Sequence, residues 1–214
     1  MTTPGDGPAP TTRARFGWIR AASDRVPTRW FAGIATGIFL AGTAAFGGLA
    51  TAATPGPTTL EAGDEHRNDQ LAVTIRRAVL VDEFPEAGVF VQDGERVLAL
   101  LMDVQNTWIE PLPAYPGSSV TESVTVEGLP LEPESVARYD DATLSPALQP
   151  GVPAQIVFAW AVEASAFEDG QALTVTVNDM TLYTGSFVAN GQWWTDPVAA
   201  ATIPIALEDI GAGG

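Results

Sequence analysis

The sequence predicts an all-β fold, an antiparallel β-sandwich preceded by one N-terminal transmembrane helix. Three observations carry that expectation. From about Asn68 onward, apolar residues recur at every second position in short runs. Those runs are separated by Gly, Pro, Asn and Asp, the residues that turns require. Upstream of residue 54 lies a single long stretch with no charge, and after it no segment shows the 3.6-residue period of an amphipathic helix.

In chain order, residues 1–12 (MTTPGDGPAPTT) are rich in Pro, Gly and Thr and are expected to be disordered. Together with residues 13–30, which carry Arg13, Arg15, Arg20, Arg25 and Arg29, they form a basic arm, 1–30. Residues 31–53 contain no ionisable side chain, and 23 residues of helix rise about 34 Å, enough for a hydrocarbon core of about 30 Å. Arg25 and Arg29 flank this stretch on one side, and no further base occurs before Arg67. The asymmetry predicts a cytoplasmic N-terminus and an extracellular C-terminal domain on a single-pass cell-membrane anchor, with Trp30 at the inner boundary. Ala50-Thr51-Ala52 also fits a signal-peptidase site, so a cleaved signal stays open beside a retained anchor. Both readings put the domain outside the cytoplasm. Residues 54–67, with their Pro and Gly, read as a linker.

The sandwich is expected over residues 68–206. Leu71, Val73 and Ile75 alternate with polar or small neighbours and make a first strand. Val89-Phe90-Val91, the pair Asp93-Gly94 and Arg96–Val104 read as a hairpin, because Asp-Gly supplies the positive φ that a tight turn needs. Val97–Met102 is apolar on both faces and is expected to be central. Ser119–Glu127 alternates through Val120, Val124 and Val126. Ile156, Phe158, Trp160 and Val162 share one face, and Leu173, Val175 and Val177 another. Tyr183–Val188 and Gln192–Thr195 flank Asn190-Gly191 as a second hairpin. Val198–Ala206 is a last strand, which Pro204 places at an edge, and 207–214 reads as a flexible tail.

Charge narrows the function classes. The 214 residues carry a net charge of -16, and all 10 bases are Arg. Residues 1–30 have a net of +3 and residues 31–214 a net of -19. A domain so acidic repels nucleic acid and anionic lipid surfaces. Cysteine is absent, which removes disulfides, thiolate chemistry and lipid attachment to cysteine. The absence of Lys removes Walker-type phosphate loops and Lys nucleophiles.

Three features carry a family resemblance: Val97–Thr107 (VLALLMDVQNT) running into an Asn-Thr turn, Leu148-Gln149-Pro150-Gly151 ahead of the apolar strand Val157–Val162, and a late strand pair with a membrane segment upstream. In these the chain resembles the extracytoplasmic Ig-like domains of Gram-positive membrane proteins and lipoproteins, notably the domain-of-unknown-function 4352 group, over about residues 69–206. The resemblance implies an Ig-like sandwich with a binding, scaffolding or accessory role at the cell surface. It brings no catalytic residues. Heavy Ala, Gly, Pro and Arg usage fits an actinobacterial-looking source.

No chemistry stands out from the residues. His66 is the only histidine and sits in the predicted linker, where a catalytic triad has no floor. The acid pairs Asp140/Asp141 and Glu168/Asp169 lie beside predicted turns. Glycosidase chemistry needs two such acids facing each other across a cleft. Asp64, Glu65 and Asp69, and likewise Asp82, Glu83 and Glu86, are the places to look for calcium, although neither has an EF-hand spacing. Trp193 and Trp194 are adjacent on a strand and so point to opposite faces. Trp108 and Tyr115 lie in a Pro-rich loop. These four, Trp108, Tyr115, Trp193 and Trp194, are the expected ligand or partner surface.

The sequence thus reads as a non-enzymatic, membrane-anchored binding or accessory domain. It is expected to have no catalytic or metal residues and no cofactor. Its expected partner is an envelope or membrane protein rather than nucleic acid. A calcium-dependent adhesion module and a carboxylate-based hydrolase are the alternatives.

Overall fold

A computed structural model describes residues 28–45, 56–186 and 190–211. The chain divides into two units, 1–54 and 55–214. In the first, one helix, α1 (Thr28–Ala45), spans 18 residues, a rise of about 27 Å. Among the described residues no helix is long and apolar enough to cross a membrane. The predicted span 31–53 therefore coincides with a helix only as far as Ala45, and its remainder lies outside the described residues. So do the basic arm up to residue 27, residues 187–189 of the second predicted hairpin, and residues 212–214.

The second unit is an all-β sandwich of two sheets that share one strand. The first sheet runs β6 (Val124–Val126), β10 (Ala172–Gly185), β11 (Gly191–Gly211) and β1 (Thr58–Thr59). The second runs from the end of β11 through β3 (Leu71–Val81), β4 (Glu95–Asn106) and β9 (Pro153–Glu163) to β7 (Ser135–Arg138), with β2 (Glu65–Arg67) beside the start of β3. A small ladder of β5 (Leu112–Pro113) and β8 (Ala147–Leu148) ties two loops together. The 21 residues of β11 pair antiparallel with β10 through Ala206, then parallel with Ala78–Val81 of β3. One strand thereby closes one side of the sandwich.

The main core lies between the sheets. Leu98, Leu100 and Met102 of β4 and Ile156, Phe158 and Trp160 of β9 face Leu173, Val175 and Val177 of β10 and Ile203 and Ile205 of β11. All are buried, and each contributes roughly 1.5–3 kcal/mol by leaving water. The Trp160 indole N–H donates to the Pro130 carbonyl at 3.2 Å, so its one polar atom is not wasted in the core. Buried Asn106 organises the loop that follows β4. Its amide donates to the carbonyls of Glu110 and Leu148 at 2.7 and 2.9 Å, and its oxygen accepts from the Trp108 N–H.

Several expectations need correction. The predicted linker is partly sheet. Thr58–Thr59 pairs with Ala201–Thr202, and Glu65–Arg67 with Ala72–Thr74, so polar residues are held there by their neighbours' free edges. Ser119–Glu122 is a one-turn helix, α2, rather than strand. The Ser118 hydroxyl accepts from the Thr121 N–H and caps it, and Val120 and Val124, four apart, suit either period. Val89–Val91 is no hairpin leg, although Gln92–Glu95 does turn on Gly94. The tail expected to fray is strand as far as Gly211, held by β3. Pro204 lies opposite Thr174 inside β11. The Thr202 carbonyl accepts from the Leu60 N–H on the side away from β10. Two residues on, Pro204 turns its missing donor to that same side, beyond the end of β1, so no ladder bond to β10 is lost.

Candidate functional site

The site begins with a strand that is apolar on both faces. While Leu98, Leu100 and Met102 point into the main core, Val97, Ala99 and Leu101 point to the opposite face of the second sheet. There Val79 pairs across from Ala99, Ala99 from Ala159, and Leu101 from Val157. An apolar outer face must be covered, and the chain supplies part of the cover itself. After β3 it crosses the sheet through Phe84, a 3-10 turn at Pro85–Ala87, and Val89, with Ala87 and Val89 buried against Val81, Val97 and Val157. Gly88 makes the sharp exit at φ 79. A Cβ there would lie 2.8 Å from the Ser135 hydroxyl and 2.9 Å from a Leu144 methyl, so glycine is required for both conformation and space.

Beyond the crossing segment this face is only partly covered, with Val79 and Leu101 half-buried. Beside it lies a groove of about 210 Å³ with a floor of Val79, Ala99, Leu101 and Val157 and walls of Phe84 and Tyr139. Ile210 is 41% exposed at its rim and Tyr139 is 57% exposed. A second hollow of about 320 Å³ adjoins it, sharing Phe84, Tyr139 and Val157, and adds Glu86, Asp140 and Asp141.

The bases near this groove are already engaged. Arg77 pairs with Glu208, whose hydrogen bond and charge raise the guanidinium pKa further. Arg138 holds both oxygens of Asp140 at 2.9 and 2.6 Å, which pulls the Asp140 carboxyl below its ordinary range. At the end of the sheet, largely buried Arg96 donates to both Asp209 oxygens at 2.7 and 2.6 Å and lies 2.9 Å from Asp82. Hydrogen bonds from Arg96, and then from the Gly211 N–H, hold the Asp209 pKa at about 2. Glu83 and Glu86 take part in no ion pair among the described residues, so the groove has an acidic surplus.

The four aromatics expected to form one surface are dispersed. Trp194 is 7% exposed and packs edge-on to half-buried Trp108, with ring centroids 5.8 Å apart. Trp194 is core, a correction for that residue, because β11 turns that face inward, and Trp108 stays half-buried against it. Trp193, on the opposite face, is 41% exposed and lies 4.5 Å from Tyr183 directly across the hairpin. Tyr115 is exposed in its own loop, where its carbonyl accepts from the Thr121 hydroxyl. None of the four lines the groove. The groove's own residues went unnoticed as a site, although Val97–Met102 carried the signal: a two-faced apolar strand needs two covers.

His66 also needs correction. It lies in β2 and not in a tether, with Nε2 2.8 Å from an Asp179 carboxylate oxygen that also accepts from the Asn68 amide at 2.9 Å. This clasp joins the second sheet to β10 of the first. Among the described residues no three acidic or histidine side chains are grouped to hold a metal ion. The convergence of carboxylates that a calcium module requires is therefore not met there.

No family model matches the chain, and no curated protein matches it. Solved structures do. An uncharacterized β-sandwich protein from Clostridium difficile 630 is 10% identical with a TM-score of 0.36, over 72% of this chain and 99% of its own. A candidate lipoprotein from Bacillus subtilis subsp. subtilis str. 168 is 14% identical with a TM-score of 0.36, over 69% of this chain and 39% of its own. A candidate lipoprotein from Staphylococcus aureus subsp. aureus NCTC 8325 is 10% identical with a TM-score of 0.37, over 69% of this chain and 94% of its own. Likeness at this level carries no function across.

Proposed function

We propose that this chain is a non-enzymatic binding or accessory domain of the cell envelope, a sandwich of the domain-of-unknown-function 4352 type held outside the cytoplasm by its N-terminal segment. The observation that carries the binding role is the half-covered apolar groove on the second sheet. A sheet face that recruits a crossing segment over one part and leaves Leu101 and Val79 half-buried and Tyr139 exposed over the rest has the makeup of an interaction surface. The envelope location rests on the sequence, on the uncharged stretch 31–53 and the step in charge from +3 to -19 across it. The absence of Lys and Cys and the engagement of Asp140 by Arg138 and of Glu208 by Arg77 favour binding over catalysis.

The test is fractionation of the native-source protein, with intact mass and protease accessibility on whole cells. A full-length mass in the membrane fraction, with the sandwich cleaved by external protease, supports the reading. A full-length mass in the cytosolic fraction overturns it. A soluble species beginning near Ala53 replaces the anchor with a cleaved signal and keeps the domain outside.

A further inference from the structure

We propose that the groove takes an extended segment of a partner protein in which an apolar side chain is flanked by arginine or lysine. The inference rests on the binding role proposed above and supplies the chemistry of the partner. Two hollows adjoin through shared residues, and their linings differ in kind. The first has four aliphatic floor residues, Val79, Ala99, Leu101 and Val157, with an aromatic wall. It suits one branched apolar side chain. The second shares Phe84, Tyr139 and Val157 with the first and is rimmed by Glu86, Asp140 and Asp141. Its Arg138 is occupied by Asp140, and Arg77 at the first hollow is occupied by Glu208. With both bases engaged, Glu83 at the first hollow and Glu86 at the second remain, among the described residues, as the charges available to a newcomer. An acidic or lipid-phosphate group would meet an acidic surplus there, on a region whose net charge is already -19. A base beside an apolar anchor satisfies both hollows at once. Rim charges of this kind select among partners and speed their encounter more than they add affinity.

The experiment titrates the full-length chain in zwitterionic nanodiscs with two capped heptapeptides and follows methyl resonances by NMR. One peptide has a leucine flanked by two arginines, and the other has glutamates in their place. The expected result is a saturable shift of the Val79, Leu101, Val157 and Ile210 methyls, with the arginine peptide bound about tenfold more tightly, equivalent to ~1.4 kcal/mol. The Glu83→Lys/Glu86→Lys double variant, exposed at both positions, should lose that preference while keeping its core methyl spectrum. The proposal is overturned if the two peptides bind equally or neither shifts these methyls. It is also overturned if the groove methyls shift with protein concentration alone, which would make the occupant a second copy. A shift on adding free lipid alone would make it an acyl chain. Each of these failures leaves the envelope reading standing, since that reading depends on fractionation and protease accessibility.

Discussion

The outward faces of the two sheets were built by opposite rules. On the first sheet a row of threonines crosses four strands: Thr125 pairs with Thr176, Thr176 with Thr202, and Thr202 with Thr59. Directly behind that row, Val175, Val177, Ala201 and Ile203 are buried in the core. This is apolar-in, polar-out alternation, and it needs no cover. The outward face of the second sheet instead carries Val79, Ala99, Leu101 and Val157, and it is fully covered only where Phe84–Val89 crosses. The difference teaches where to look for a binding surface in this sandwich. A polar outer face is finished when the domain folds, whereas a partly covered apolar one still has surface to bury.

Substitutions on each side of this comparison should separate. The largest effect belongs to the shared core, where Phe158→Ala should cost about 3–5 kcal/mol, read as a lower midpoint in urea unfolding. Next is the segment crossing the second sheet. Gly88→Ala places a side chain at φ 79 against Ser135 and Leu144 and should cost about 1–3 kcal/mol in the same assay. A cost near zero would mean that the crossing segment is not seated as described.

The third effect depends on pH. The Asp209 pKa is about 2 in the folded chain, below an unfolded value of about 3.9. Its contribution is therefore fully present above pH 4 and is lost as the pH falls towards 2. Asp209→Asn should be less stable than wild type at neutral pH, and the gap should narrow across that window in acid titrations followed by circular dichroism. The smallest effect is expected on the finished face. Thr176→Val should change stability by less than about 0.5 kcal/mol, because it alters half-exposed surface without touching the core.

Strand positions were legible in the sequence because period two is a property of each strand alone. Leu71–Ile75, Ile156–Val162 and Leu173–Val177 show it, and the structure has strands at all three. Only Leu173–Val177 buries a single face, while Leu71–Ile75 and Ile156–Trp160 are buried on both. What depends on a neighbour was not legible. Thr58–Thr59 and Glu65–Arg67 are strands because β11 and β3 offer them an open edge, and nothing in their own composition announces that. The continuity of β11 was hidden by Pro197 and Pro204, which read as breaks. The chain instead takes a bulge at Asp196, with φ 53, and turns Pro204 to the side away from β10. The site was legible in half. Val97–Met102 announces two apolar faces, yet the segment Asp82–Val91 that decides which part stays only partly covered has no period of its own. The aromatic residues misled because adjacency on a strand says that two faces are used and not which of them is outside. Trp193 is exposed, whereas Trp194 is in the core with Trp108 packed against it.

The proposed binding role assigns partner contact to the second sheet's outward face and not to the first sheet's. The most direct measurement places a photo-crosslinking residue at Tyr139, in the groove, or at Thr176, on the threonine row, in full-length chains expressed in the native-source cells. Both positions tolerate it, being exposed and half-exposed on the surface. Irradiation followed by mass spectrometry of adducts should yield a discrete crosslinked partner peptide from the Tyr139 position and none from Thr176. Equal yields from both positions, or a discrete adduct from Thr176 alone, would contradict the account.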